Sequence, residues 1–246
     1  MKIKAFLQMK DDFERLEFTL SNFLKHNPEI PILVVNDGGQ NPSAITDKYS
    51  QVTLVNFSES SWVKNGGNGT FGPEWFKRLY EYAESDDNYT HLLFLETDVL
   101  TRRPITINPA YDMAGFMNCS GPAVNKVCHS YFNLQKYGYE FNKMGGVASF
   151  LHTGCGGTIY SKDFFDKTRN NLDFILDAYR TIPEYCFQDV LITILGIISG
   201  CSVGKWKEVT QMATPHFEID GFNPESSMIH GYKVDIVREQ NNKRKH

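Results

Sequence analysis

The stretch His91-Leu92-Leu93-Phe94-Leu95-Glu96-Thr97-Asp98 joins a short apolar run to two carboxylates. The run is too short for a typical helix and reads as a buried strand. Its carboxyl end carries Glu96 and Asp98, and in open α/β sheets that edge is where ligands bind. Continued strand alternation predicts that both side chains point the same way. Two such carboxylates suit a hard divalent cation, Mg²⁺ or Mn²⁺, that also holds phosphates. The plainer alternative is a pair of polar residues closing a strand.

Working outward, strands and helices alternate. Residues 3–9 form an apolar run of strand length. Apolar residues at 13, 16, 20, 23 and 24 predict a helix over 13–25, ended by Asn27-Pro28. A second strand, 30–35, stops at Asn36-Asp37-Gly38-Gly39. A short helix over 43–49 leads to a third strand at 52–57. A polar, glycine-rich stretch, 58–72, reads as a loop, and Pro73 opens a helix to about residue 83. A fifth strand is expected at 111–116, an irregular aromatic stretch at 118–144, helices at 162–179 and 187–198, and a late strand at 204–210. Alternating strands and helices imply parallel βαβ units and an α/β sandwich. No repeat, linker or low-complexity block divides the chain, so one domain over 1–246 is expected.

A chain of 246 residues buries enough surface to fold without disulfide or metal staples. Its 25 Lys and Arg against 29 Asp and Glu give a net charge of −4, which argues against nucleic acid as a partner despite the basic tail Lys243-Arg244-Lys245-His246. The first residues lack a secretory h-region, and the apolar stretch 190–198 is far too short to span a bilayer. The 5 cysteines are odd in number and lack metal-ligand spacing, so free thiols are expected. A soluble, cytoplasmic protein without stable membrane insertion is the expectation; glycosylation sequons at Asn56, Asn68, Asn88 and Asn118 pull weakly the other way.

Two further motifs bear on chemistry. Asp37 follows a buried strand, where a carboxylate can accept hydrogen bonds from a nucleobase or ribose, or simply belong to an Asn-Asp-Gly turn. Near the end, Met228-Ile229-His230-Gly231-Tyr232-Lys233 offers a histidine able to ligate a metal and a lysine able to neutralise a phosphate. Gly154-Cys155-Gly156-Gly157 allows close backbone approach to a ligand, or makes a tight turn. Trp62 in the polar loop can stack on a sugar face, whereas Trp75 at a helix start is expected in the core.

Together, Asn36-Asp37-Gly38-Gly39, Glu96-Thr97-Asp98 and His230-Gly231-Tyr232-Lys233 resemble the corresponding elements of GT-A-fold glycosyltransferases, enzymes that use nucleotide sugars. Lys10-Asp11-Asp12-Phe13-Glu14-Arg15-Leu16 is similar to the family's first loop and helix. The resemblance implies a Rossmann-like mixed sheet flanked by helices, with a nucleotide-binding half over 1–100 and an acceptor-binding half over 101–246. It implies that Asp98 coordinates Mn²⁺ or Mg²⁺ directly, that Glu96 contacts ribose or a metal-bound water, and that His230 completes the metal shell. Asp37 would hold the base, the backbone near Gln8 and Met9 would form the other wall, and Lys233 would face the diphosphate. Thr97 departs from the family pattern, which often has Asp there.

On the acceptor side an inverting enzyme needs a proton-accepting carboxylate, for which the candidates are Asp189 and Glu184, with Asp189 preferred; Asp189 can alternatively be a helix-end residue. A retaining enzyme needs no such base. The implied activity is metal-dependent transfer of a hexosyl or pentosyl group from a nucleoside-diphosphate sugar, with UDP-sugar the expected donor, to a hydroxyl of a glycan or glycoconjugate. A sugar nucleotidyltransferase is the first alternative, but Lys4-Ala5-Phe6-Leu7-Gln8-Met9-Lys10 lacks the glycine-rich loop that class carries. The second is a non-catalytic glycan-binding protein on the same fold.

Overall fold

Ile3-Lys4-Ala5-Phe6-Leu7-Gln8-Met9 is buried almost throughout, the pattern of a central strand covered on both faces. The computed structural model that shows this describes residues 1–65, 68–119, 121–144, 147–153, 156–182, 187–211 and 225–231. The main sheet has seven strands: β1 (Ile3–Met9), β2 (Ile32–Asp37), β3 (Val52–Phe57), β4 (His91–Leu95), β5 (Met113–Gly115), β6 (Ile159–Ser161) and β7 (Val203–Lys205). Their spatial order is β7-β5-β6-β4-β1-β2-β3. β1 lies between β2 and β4 and is parallel to both, and β3 extends the parallel part beyond β2. β6 runs antiparallel to β4 and β5, and β7 is parallel to β5. The chain therefore builds outward from β1 to β3, then crosses to the other side of β1 to lay down β4. That reversal opens a crevice at the carboxyl ends of β1 and β4.

The helices are α1 (Phe13–His26), α2 (Ser43–Thr46), α3 (Pro73–Glu84), α4 (Pro122–Ser130), α5 (Lys162–Thr168), α6 (Leu172–Thr181) and α7 (Gln188–Ile198). Strand alternation divides the apolar residues between two cores. Phe6, Leu92, Phe94 and Tyr160 face α3, α5 and α7 through Trp75, Phe76, Phe164 and Ile194. Ala5, Leu7, Leu93, Leu95 and Ile159 face Leu16, Leu20 and Phe23 of α1. Each fully buried Leu or Phe contributes about 1.5–3 kcal/mol of burial energy. Lys4 and Gln8 are the polar side chains buried in β1; the Lys4 ammonium lies 4.0 Å from the Tyr89 ring centre and donates to the Tyr82 and Ala83 carbonyls at the end of α3. A cation there complements the negative helix terminus.

Several elements depart from the sequence expectation. The stretch 58–72 holds a hairpin, Trp62–Asn65 paired antiparallel with Asn68–Phe71. The helix expected over 162–179 breaks at a 3-10 turn, Arg169–Asn171. Thr168 bonds back to the Phe164 carbonyl at 2.6 Å, and the asparagines that follow favour caps and turns over helix interiors. The late strand splits into β7 and Val209–Gln211 around buried Trp206, whose N–H bonds to the Gly115 carbonyl. The stretch 118–144 contains α4 and a 3-10 turn at Leu134–Tyr137. Trp75 is fully buried, as expected. Among the described residues no helix is long and apolar enough to cross a membrane.

Candidate functional site

β4 ends at Leu95, and a tight turn follows, closed by a bond from the Val99 N–H to the Glu96 carbonyl at 3.1 Å. Glu96 and Asp98 thus share a side because of this turn, not because strand alternation continues. Thr97 faces away from them: its hydroxyl donates to Asp12 Oδ2 at 3.0 Å, and its carbonyl accepts from Thr19 of α1 at 2.9 Å. Thr97 is therefore the anchor that fixes the turn to α1.

After the turn, Leu100–Thr101 pairs antiparallel with Met228–His230, which in turn lies parallel to Val209–Gln211. The Ile229–Leu100 register sets His230 beside the turn. Its Nε2 lies 2.9 Å from Glu96 Oε2 and 3.6 Å from Asp98 Oδ1. One ligand atom from each of Glu96, Asp98 and His230 lies within 4.8 Å of the others. Burial works against a charged imidazole at His230, but the Asp98 and Glu96 carboxylates outweigh it and push its pKa up to about 9. Asp98 Oδ1 and His230 Nδ1 are buried without a hydrogen-bond partner. A two-carboxylate, one-imidazole donor set with an unsatisfied buried oxygen fits a divalent cation.

The glycine run supports this cluster from behind. The Gly156 N–H donates to Glu96 Oε2 at 2.9 Å. Gly157 bonds to the Phe94 carbonyl at φ +91°, and a Cβ there would lie 2.6 Å from a Val209 methyl. Gly154 and Cys155 lie outside the described residues, as do Glu184 and Lys233.

Beside the cluster, across Thr97, is a cleft of about 380 Å³ lined by Gln8, Met9, Asp12, Asp37, Trp62 and Phe71, among others. Asp37 lines it, yet its carboxylate is engaged. Oδ1 accepts from Arg78 Nη1 and the Ser61 N–H, both at 2.6 Å, and Oδ2 accepts from the Ser60 and Ser61 hydroxyls at 3.0 and 3.1 Å. Gln8 also turns inward, donating to Ser61 Oγ at 2.6 Å. Met9 is 3% exposed and packs in the α1-side core. The Asn-Asp-Gly-Gly turn is shaped by the same contacts: Gly38 sits at φ +73°, and Asp11 Oδ1 accepts from the Gln40 N–H at 2.6 Å. Sequence reasoning did not find Arg78, whose only signal is an arginine on the otherwise buried face of α3. Trp62 stands 52% exposed on the hairpin, edge-on to Phe71 with ring centres 5.2 Å apart.

Asp189 lies in the first turn of α7. Its Oδ1 accepts from the Val190 N–H at 2.9 Å, and its Oδ2 lies 3.2 Å from His152 Nδ1, off the line of a ring hydrogen bond. Burial opposes its ionisation, but His152 and the backbone N–H groups outweigh burial and hold the carboxyl below its usual range. The Asp189 carboxylate also favours the charged form of His230, by less than Asp98 and Glu96 do. His152 was not found from the sequence; its signal is a lone polar side chain between Phe150-Leu151 and the glycine run.

No family model matches the sequence, and no curated protein matches it. Solved structures do match the fold. The galactosyltransferase LgtC, crystallised with donor and acceptor sugar analogs, superposes with a TM-score of 0.53 over 92% of this chain and 86% of LgtC, at 13% identity. The bifunctional glycosyltransferase WbbM matches with a TM-score of 0.55 over 94% of this chain but 46% of WbbM, at 11% identity. At such identities the likeness is one of fold, and the mixed α/β fold of this chain is of the type that GT-A glycosyltransferases carry.

Proposed function

We propose that this chain is a metal-dependent glycosyltransferase acting on a nucleoside-diphosphate sugar, with a UDP-sugar as the expected donor and a glycan or glycoconjugate hydroxyl as the acceptor. The observation that supports the reading is the half-buried Glu96–Asp98–His230 cluster at the sheet's carboxyl edge, with an Asp98 oxygen that has no hydrogen bond and an aromatic-walled cleft next to it. Asp98, Glu96 and His230 would hold Mn²⁺ or Mg²⁺, which supplies Lewis-acid charge to the leaving diphosphate. The cleft volume suits a nucleoside, with Trp62 and Phe71 as its aromatic wall and Gln8, Met9 and Asp37 as its floor. Because Asp37 is occupied by Arg78 and Ser61, its part is to hold that floor and the hairpin base. Lys233 is assigned to the diphosphate by the resemblance alone.

Asp189 takes the acceptor proton in an inverting transfer, with Glu184 as its rival. The acceptor oxygen bonds to the anomeric carbon as its proton passes to Asp189. The bond from that carbon to the diphosphate oxygen breaks, and its electron pair leaves on the diphosphate. General-base assistance of this kind contributes about 10²–10⁴-fold.

The test is thermal unfolding against a panel of UDP- and GDP-sugars with and without Mn²⁺. A ligand at 100 times its Kd adds about 2.7 kcal/mol. Mn²⁺-dependent stabilisation by one nucleotide series is expected, and absence of any response across the panel would overturn the reading. The anomeric configuration of the product, read by NMR, checks the inverting assignment.

A further inference from the structure

We propose that His152 is the positioning residue for Asp189, fixing the carboxylate that receives the acceptor proton; this rests on the assignment of Asp189 above. Asp189 does not behave as a helix cap. The N-cap of α7 is Phe187, without a side-chain cap bond, and Asp189 Oδ1 accepts from the N–H of the next residue, Val190. A capping Asp would sit one or two positions earlier and bond N–H groups further into the helix. The second oxygen is turned instead to His152 Nδ1 at 3.2 Å, with the two side chains 18% and 8% exposed. A short aspartate side chain at a helix start has several rotamers, and a buried imidazole on one side leaves few of them.

The frame around the pair is rigid. His152 lies on Leu151–His152, which pairs with Asn118–Cys119. Its ring stacks on buried Phe150 at 6.1 Å with an interplanar angle of 11°. One turn along α7, the Thr193 hydroxyl donates to the Thr153 carbonyl at 2.5 Å and accepts from the Thr153 N–H at 3.1 Å. That stitch locks the residue after His152 to the helix turn after Asp189. At the helix start, Gln188 exchanges bonds with Thr70 of the hairpin that walls the cleft, its N–H donating at 3.1 Å and its side-chain oxygen accepting at 2.5 Å. Strand, helix start and cleft wall are thus tied together, as precise placement of a reacting group requires.

The experiment measures nucleoside-diphosphate release from UDP- and GDP-hexoses, with water as acceptor, alongside UDP and GDP affinity by calorimetry. His152→Ala should lower turnover about 10²-fold, the scale of misplacing a reacting group by roughly 1 Å, while nucleotide affinity stays within about twofold. His152→Asn, whose amide nitrogen, like Nδ1, is attached to Cγ, should recover most of the loss. In an Asp189→Asn background, His152→Ala should add nothing further, because the group it positions is already disabled. If Asp189→Asn is inactive while His152→Ala keeps parental turnover, the positioning role is overturned and the base assignment stands. The role is likewise overturned if the two losses add, or if nucleotide affinity falls as far as turnover. A fully active Asp189→Asn would overturn the base assignment and this role with it.

Discussion

β2 and β4 end alike and finish differently. Each is a buried parallel strand next to β1, and each delivers acidic side chains to the sheet's carboxyl edge. At the end of β2, Asp37 meets Arg78, Ser60 and Ser61, and both its oxygens are bonded. Past the end of β4, Asp98 has a buried oxygen without a hydrogen bond, and its near neighbours are a histidine and another carboxylate. The first is a closed ion pair that holds structure. The second joins two carboxylates to an imidazole whose charged form they favour, and it keeps one carboxylate oxygen without a hydrogen bond. A strand-end carboxylate is therefore read by what the rest of the fold brings to it.

The largest expected effect tests the closed side. Arg78→Met leaves a buried Asp37 charge unpaired, and breaking such a pair costs about 3–5 kcal/mol. Urea unfolding should show that loss, and adding Asp37→Leu to Arg78→Met should restore much of it. If Arg78→Met alone is neutral, the pair is not holding the hairpin base.

Next comes the open side. Asp98→Ala should weaken Mn²⁺-dependent nucleotide binding at least about a hundredfold, or about 2.7 kcal/mol, by calorimetry. Glu96→Ala should weaken it less. Stability without metal should fall less for Asp98→Asn than for Arg78→Met, because Glu96 still pairs with His230. Unchanged Mn²⁺-dependent affinity in Asp98→Ala would remove the distinction between the two strand ends.

A smaller effect probes the support behind the cluster. Gly157 has φ +91° and leaves no room for a Cβ against Val209. Gly157→Ala should cost about 1–3 kcal/mol in thermal or urea unfolding, the scale of a strained backbone position. A neutral substitution would mean that the strand end relaxes without it.

The smallest effect concerns the cleft wall. Trp62→Ala removes an exposed ring, so stability should hold while nucleotide affinity falls by about 0.5–1.5 kcal/mol, the range for an aromatic stacking pair. Trp62→Phe should fall between. Equal affinity in all three proteins would place the base away from the hairpin.

The parallel strands were legible in the chain as short continuous apolar runs, α1 by its helical apolar spacing, α3 by the proline that opens it and α7 by its apolar stretch. Glu96, Asp98 and Asp189 stand out in the chain because an acid beside an apolar run, the short one before Glu96 or the one after Asp189, is a strong local contrast. The strand at Met228–His230 was not, since three residues carry no period and its partner, Leu100–Thr101, lies far upstream. The hairpin at 62–71 was hidden by polar and glycine residues that read as loop, although cross-strand pairing suits them.

By itself, then, the sequence determined the alternating βαβ order and which residues are acidic at the strand ends. Only the tertiary structure decided which acids are satisfied. Asp37 is satisfied because α3 carries Arg78 beneath it. Asp98 kept an oxygen without a hydrogen bond because strand pairing set the His230 ring 3.6 Å from it, within ion-pair reach but beyond hydrogen-bond distance. Charge balance in a buried site depends on contacts between residues far apart in the chain, here 41 positions for Arg78 and Asp37 and 134 for His230 and Glu96, and local sequence carries no record of them.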